Sequence, residues 1–117
     1  MKLFMVEPTV SDLSASIAWY TEVVGLKLTL LDEANGFALL EGAAGRISLK
    51  RGIPRPGGIR LHFEVDNLDA ELTRLEALGV RSVSEVKASG EGYRRALFHD
   101  PDGYEIALFE WVKSGCV

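Results

Sequence analysis

Val10-Ser11-Asp12-Leu13 and Val65-Asp66-Asn67-Leu68 are one short phrase written twice, 55 positions apart. Carried outward, the same shift lays Ile17 over Leu72 and Tyr20 over Leu75, and brings Gly25 and Gly79 within one residue of register. Self-similarity on this scale marks a chain built from two copies of one supersecondary unit. Between the copies lies Ile53-Pro54-Arg55-Pro56-Gly57-Gly58, whose prolines and glycines interrupt any helix or strand pattern. We expect half-modules at 1–54 and 57–113 and a tail at 114–117, all within one domain spanning residues 1–117.

Each copy reads alike. Leu3 to Thr9 and Ile59 to Val65 carry β-favouring residues in alternation, and each run leads into a helix with Asp12 or Asn67 as its N-cap. Leu13, Ile17, Tyr20 and Val24, like Leu68, Leu72, Leu75 and Leu78, recur at helical spacing and give each helix one apolar stripe for a sheet. Three short strands should follow each helix, separated by turns at Asn35-Gly36, Ala44-Gly45, Ser89-Gly90-Glu91-Gly92 and Asp100-Pro101-Asp102-Gly103. Asn-Gly suits a type I′ hairpin, and Pro followed by Gly pre-forms a tight turn. The reading is an α+β fold with paired β-α-β-β-β modules and antiparallel pairing among the last three strands of each.

Composition narrows the function. Thirteen Lys and Arg against seventeen Asp and Glu leave a net charge of −4, which gives no general basic surplus for a nucleic-acid backbone. No apolar run approaches the roughly eighteen residues of a membrane span, so neither a membrane nor nucleic acid is an expected partner. One cysteine, Cys116, makes neither an internal disulfide nor a cysteine zinc site, and we expect a cytoplasmic protein. Gly42-Ala43-Ala44-Gly45 lacks the Lys-Ser or Lys-Thr of a phosphate loop, and no Gly-x-Ser-x-Gly elbow occurs.

Three segments in order then carry a resemblance: Val10 to Leu13 running on to Trp19-Tyr20 and Gly25-Leu26; Phe63-Glu64-Val65-Asp66-Asn67-Leu68-Asp69; and Phe98-His99-Asp100-Pro101-Asp102-Gly103-Tyr104-Glu105-Ile106. The chain resembles the vicinal oxygen chelate superfamily, which includes glyoxalases, ring-cleaving dioxygenases and bleomycin-resistance-type binding proteins. The resemblance implies a cup-shaped mixed sheet with the site on its concave face, and commonly a homodimer. In metal-dependent members four strand positions supply His, Glu or Gln ligands. Here those positions are Met5, Ser48, Arg60 and Ala107, none a usual ligand for a divalent ion, so no metal and no cofactor is expected.

Strand alternation indicates what would line such a cup. Met5, Glu7 and Thr9 share one face of the first strand, and Arg60, His62 and Glu64 share the matching face of its repeat. Arg46, Ser48, Lys50, Glu105, Ala107 and Phe109 come from the last strands. Glu7 and His62 are equivalent under the 55-residue shift and form the candidate proton-transfer pair, with the carboxylate raising the imidazole pKa. Arg60 and Arg46 are candidates to hold an anion, unless they pair with Glu7, Glu64 or Glu105. Ser48 and Glu105 add polar groups, and Phe37, Phe109 and Trp111 an apolar wall. An unusual metal site from Glu7, His62 and Glu105 is conceivable, with His99 expected too far away at its turn. The expected function is metal-free binding of a small organic molecule, anionic or aromatic. The alternative is an isomerase or lyase using His62 and Glu7, and a third reading is a partner-binding protein with a vestigial cup.

Overall fold

The computed structural model describes residues 1–112, so Cys116 and the expected tail at 114–117 lie outside the described residues. The chain divides into two compact units, Met1–Pro56 and Gly57–Val117. In the first, β1 (Thr9–Val10) leads to α1 (Leu13–Trp19), then to β2 (Lys27–Asp32), β3 (Phe37–Glu41) and β4 (Arg46–Arg51). In the second, β5 (Arg60–Glu64) leads to α2 (Leu68–Ala77), then to β6 (Lys87–Ala88), β7 (Tyr93–His99) and β8 (Glu105–Trp111). The sheets have orders β1-β4-β3-β2 and β5-β8-β7-β6, with the first-listed pair parallel and the others antiparallel. This is an α+β fold of two four-stranded mixed sheets, each unit running β-α-β-β-β.

Both helices begin as expected. The Asp12 and Asn67 side chains accept from the N–H groups of Ala15 and Ala70, each at 3.0 Å, and satisfy donors that a helix start leaves open. α1 and α2 cover one face of their own sheets. Leu13, Ser16 and Tyr20 are buried with Ala38, Leu40, Ile47 and Leu49 in the first unit, and Leu68 and Leu75 with Ala96, Phe98, Ile106 and Leu108 in the second. Arg94 bonds Asp69 at 3.2 Å, and Glu110 accepts from the Leu68 N–H at 2.7 Å, which fixes the start of α2 against its sheet.

Four local expectations are corrected. The first strand is regular only at Thr9–Val10, because Pro8 has no N–H to donate; before it, the chain keeps the same register through a bridge from Val6 to Ile47. A π-helical turn, Tyr20–Val24, extends α1 and rotates its stripe, so that Val23 is buried in preference to Val24. Leu78 caps α2 and is 53% exposed, so it drops out of the stripe. The β2–β3 connection is a four-residue loop, with Asp32 paired to Phe37, and only Gly36 has positive φ, at 65°. A type I′ turn would need two such residues; instead Asp32 accepts from the Asn35 N–H and side-chain amide at 3.2 and 2.8 Å.

Candidate functional site

The face of the second sheet turned away from α2 is laid out by strand register. Arg60, Glu105 and His99 form one cross-strand row; His62, Ala107 and Leu97 form the next. Glu64, Phe109, Arg95 and Lys87 form the third, and Trp111 and Tyr93 the last. Directly paired residues share a face, so these rows are side-chain neighbours. Phe109 meets Trp111 at 5.3 Å, Tyr93 at 6.0 Å and His62 at 6.2 Å between centroids, and Tyr93 meets Trp111 at 6.1 Å, every contact edge to face. Edge-to-face contact is the favoured arrangement of ring quadrupoles. Trp111 is 52% exposed.

Charge on this face is unevenly paired. The Arg60 guanidinium donates to Glu105, which is also flanked by His99. That hydrogen bond, with the charges of Arg60, His99 and Arg95, holds the Glu105 carboxyl below its usual value against partial desolvation. Burial, then the charges of Arg60 and Arg95, lower the His62 pKa, with Glu105 opposing them. The expected rise of that pKa is thus corrected: His62 shares its face with two arginines, and its own desolvation works in the same direction. His99, expected too remote for this group, is the direct cross-strand neighbour of Glu105.

The first unit carries the remaining candidates. Its 41-residue offset between paired strands sets Glu7 beside Ser48, and the Ser48 hydroxyl donates to the Glu7 carboxylate at 2.8 Å. Ser48 is fully buried. Arg46 lies 4.4 Å from the Phe4 ring centroid, donates to the Phe4 carbonyl at 3.4 Å and pairs with Glu41 at 3.7 Å. Phe37 stands in a row with Lys50 and Asp32 in the first sheet, whereas Phe109 and Trp111 meet in the second. Sequence reasoning missed Tyr93, Arg95 and Lys87. Alternation in Tyr93-Arg94-Arg95 was a usable signal, but the face taken by each arginine depends on register after the Ser89–Gly92 turn.

A family model described as the glyoxalase/bleomycin resistance protein/dioxygenase superfamily matches residues 2–108. The chain belongs to this superfamily. It is 30% identical over 114 residues to the uncharacterized protein YwbC of Bacillus subtilis (strain 168), covering 86% of this chain and 90% of that protein. Among solved structures, lactoylglutathione lyase from Agrobacterium tumefaciens is similar with a TM-score of 0.77 at 22% identity, over 93% of this chain and 92% of that one. TioX from Micromonospora sp. ML1 is similar with a TM-score of 0.78 at 21% identity, over 96% of this chain and all of that one. At these identities the likeness establishes the fold.

The superfamily's four metal positions do not fit an ion in this member. Ser48 is committed to Glu7, Arg60 to Glu105, Ala107 offers no donor, and Met5 offers only a soft thioether. Among the described residues no group of three or more His, Cys, Asp or Glu side chains is arranged to hold a metal ion. No helix among them is long and apolar enough to cross a membrane. A cleft of about 360 Å³ lies on the helix side of the second unit, at Leu72, Glu76, Val80, Arg81, Ser82 and Phe98, and shares no residue with the open face.

Proposed function

We propose that this protein binds a small organic molecule non-covalently on the open face of its second sheet, without the metal chemistry of other superfamily members. One observation carries the reading: Tyr93, Phe109, Trp111 and His62 form a continuous run of rings on a face that α2 does not cover. Large, rigid rings with a few fixed polar groups are the ordinary lining of a small-molecule site. The donor set at Met5, Ser48, Arg60 and Ala107 supports the metal-free part. The test is titration with the neutral planar probe 2-naphthamide, followed by the indole N–H resonance of Trp111. A saturable shift is expected, abolished in Phe109→Ala with the far-ultraviolet spectrum retained. Absence of any saturable shift would overturn the reading.

A second reading, isomerase or lyase chemistry with His62 and Glu7 moving a proton, draws support from the lowered His62 pKa, which favours the base form of the imidazole. It requires Glu7 to act on His62. If Glu7→Gln leaves the His62 titration unmoved, the pair does not exist. The proposed setting is cytoplasmic and homodimeric, argued from the lone cysteine and the pairing implied by the superfamily; light scattering at micromolar concentration tests the second point.

A further inference from the structure

We infer that the ligand of this face is an aromatic acid, whose carboxylate is read by Arg95 together with Lys87. The inference rests on the binding reading above and deepens it by naming the ligand class. Arg95 and Lys87 are direct cross-strand partners at the β6–β7 edge, so two cationic side chains stand next to one another on one face. Like charges in that position repel and weaken strand pairing, and β6 has only two residues with which to offset the cost. Among the described residues neither side chain has a hydrogen-bond or ion-pair partner, whereas Arg60 is held by Glu105 and Arg94 by Asp69 and Glu110.

No acidic group of the face bonds this pair, and Arg95 acts on Glu105 only through space. Glu105 belongs to Arg60 two rows away, and Glu64 stands on the far side of Phe109 from Arg95. The row therefore reads carboxylate, ring, guanidinium, ammonium, with its positive end next to the rings of Phe109 and Tyr93. A flat ligand laid on those rings would bring an anionic substituent to Arg95 and Lys87. There a planar guanidinium fork matches a carboxylate by paired charge-assisted hydrogen bonds, and the ammonium adds a second donor. Burial and the charges of Arg60 and Arg95 shift His62 toward its neutral form, which works against a third cation at the ring edge.

The experiment compares three probes of one shape on the full chain: 2-naphthoate, 2-naphthamide and 2-naphthylmethylammonium, each followed at the Trp111 indole N–H. The expected order is naphthoate tightest, by about tenfold over the amide, with the ammonium weakest. Arg95→Gln and Lys87→Gln should each reduce naphthoate affinity toward that of the amide and weaken the amide far less than the naphthoate. Arg81→Gln, which removes the same charge at the helix-side cleft, should keep the preference and so separate local recognition from net charge. Equal binding of all three probes, or a naphthoate preference that survives both Arg95→Gln and Lys87→Gln, overturns the anion inference while leaving the binding reading intact. If none of the probes binds, both fall.

Discussion

His62 is held toward its neutral form by desolvation and by Arg60 and Arg95, and this has a consequence for stability. Its folded pKa lies below its unfolded value, about 6.5, so below that pH the unfolded chain binds more protons. The corresponding stability is complete above pH ~6.5 and is lost as the pH falls through the folded pKa. In NMR titrations, Arg95→Gln should raise the His62 midpoint and Glu105→Gln should lower it; the reverse order would contradict the assignment of charges. Ser16 is a second residue-scale case. Its hydroxyl is fully buried against the first sheet and, among the described residues, has no hydrogen-bond partner. Ser16→Ala should raise the urea midpoint, by about 1 kcal/mol of stability, since an orphaned buried hydroxyl costs desolvation without return. Neither feature could be read from the sequence, where Ser16 is one serine among several and Arg95 cannot be told from Arg94.

The turns show how far local chemistry reaches at the scale of elements. Asp100-Pro101-Asp102-Gly103 forms the tight turn its residues favour. The Asp100 carboxylate accepts from the Asp102 and Tyr104 N–H groups at 2.9 Å, and Gly103 takes φ of 90°. Asn35-Gly36 was legible as a turn but not as a type, because the capping role of Asp32 sets the loop at four residues. Gly36 is required there on two counts: its φ is 65°, and a Cβ would come within 2.8 Å of the Arg51 Cβ. Gly36→Ala should cost about 1–3 kcal/mol in chemical denaturation. Gly45→Ala, with open space and no positive φ, should stay within about 0.5 kcal/mol. Equal effects at the two sites would mean that backbone strain at Gly36 is not what demands glycine.

For the molecule as a whole, the four ligand positions bear on how it responds to metal. An ion present at 100 times its dissociation constant adds about 2.7 kcal/mol, or on the order of 10 °C in the unfolding midpoint of a chain this size. For EDTA-stripped protein we expect no such rise with zinc, nickel, manganese or iron(II). A rise that disappears in His62→Ala would establish a metal site instead. The 55-residue repeat, the N-caps Asp12 and Asn67, the α+β class, the superfamily and the chemistry of residues 5, 48, 60 and 107 were all determined by the sequence, because each depends on residue type at short or repeated spacing. The tertiary structure alone decided which polar groups are spent and which are left over. Strand register pairs Arg60 with Glu105 and Ser48 with Glu7, gathers Tyr93 with Phe109 and Trp111, and leaves Arg95 beside Lys87. Register is a long-range property, set when helix and sheet bury their apolar faces together, and a slip of one residue would turn every one of these side chains to the other face.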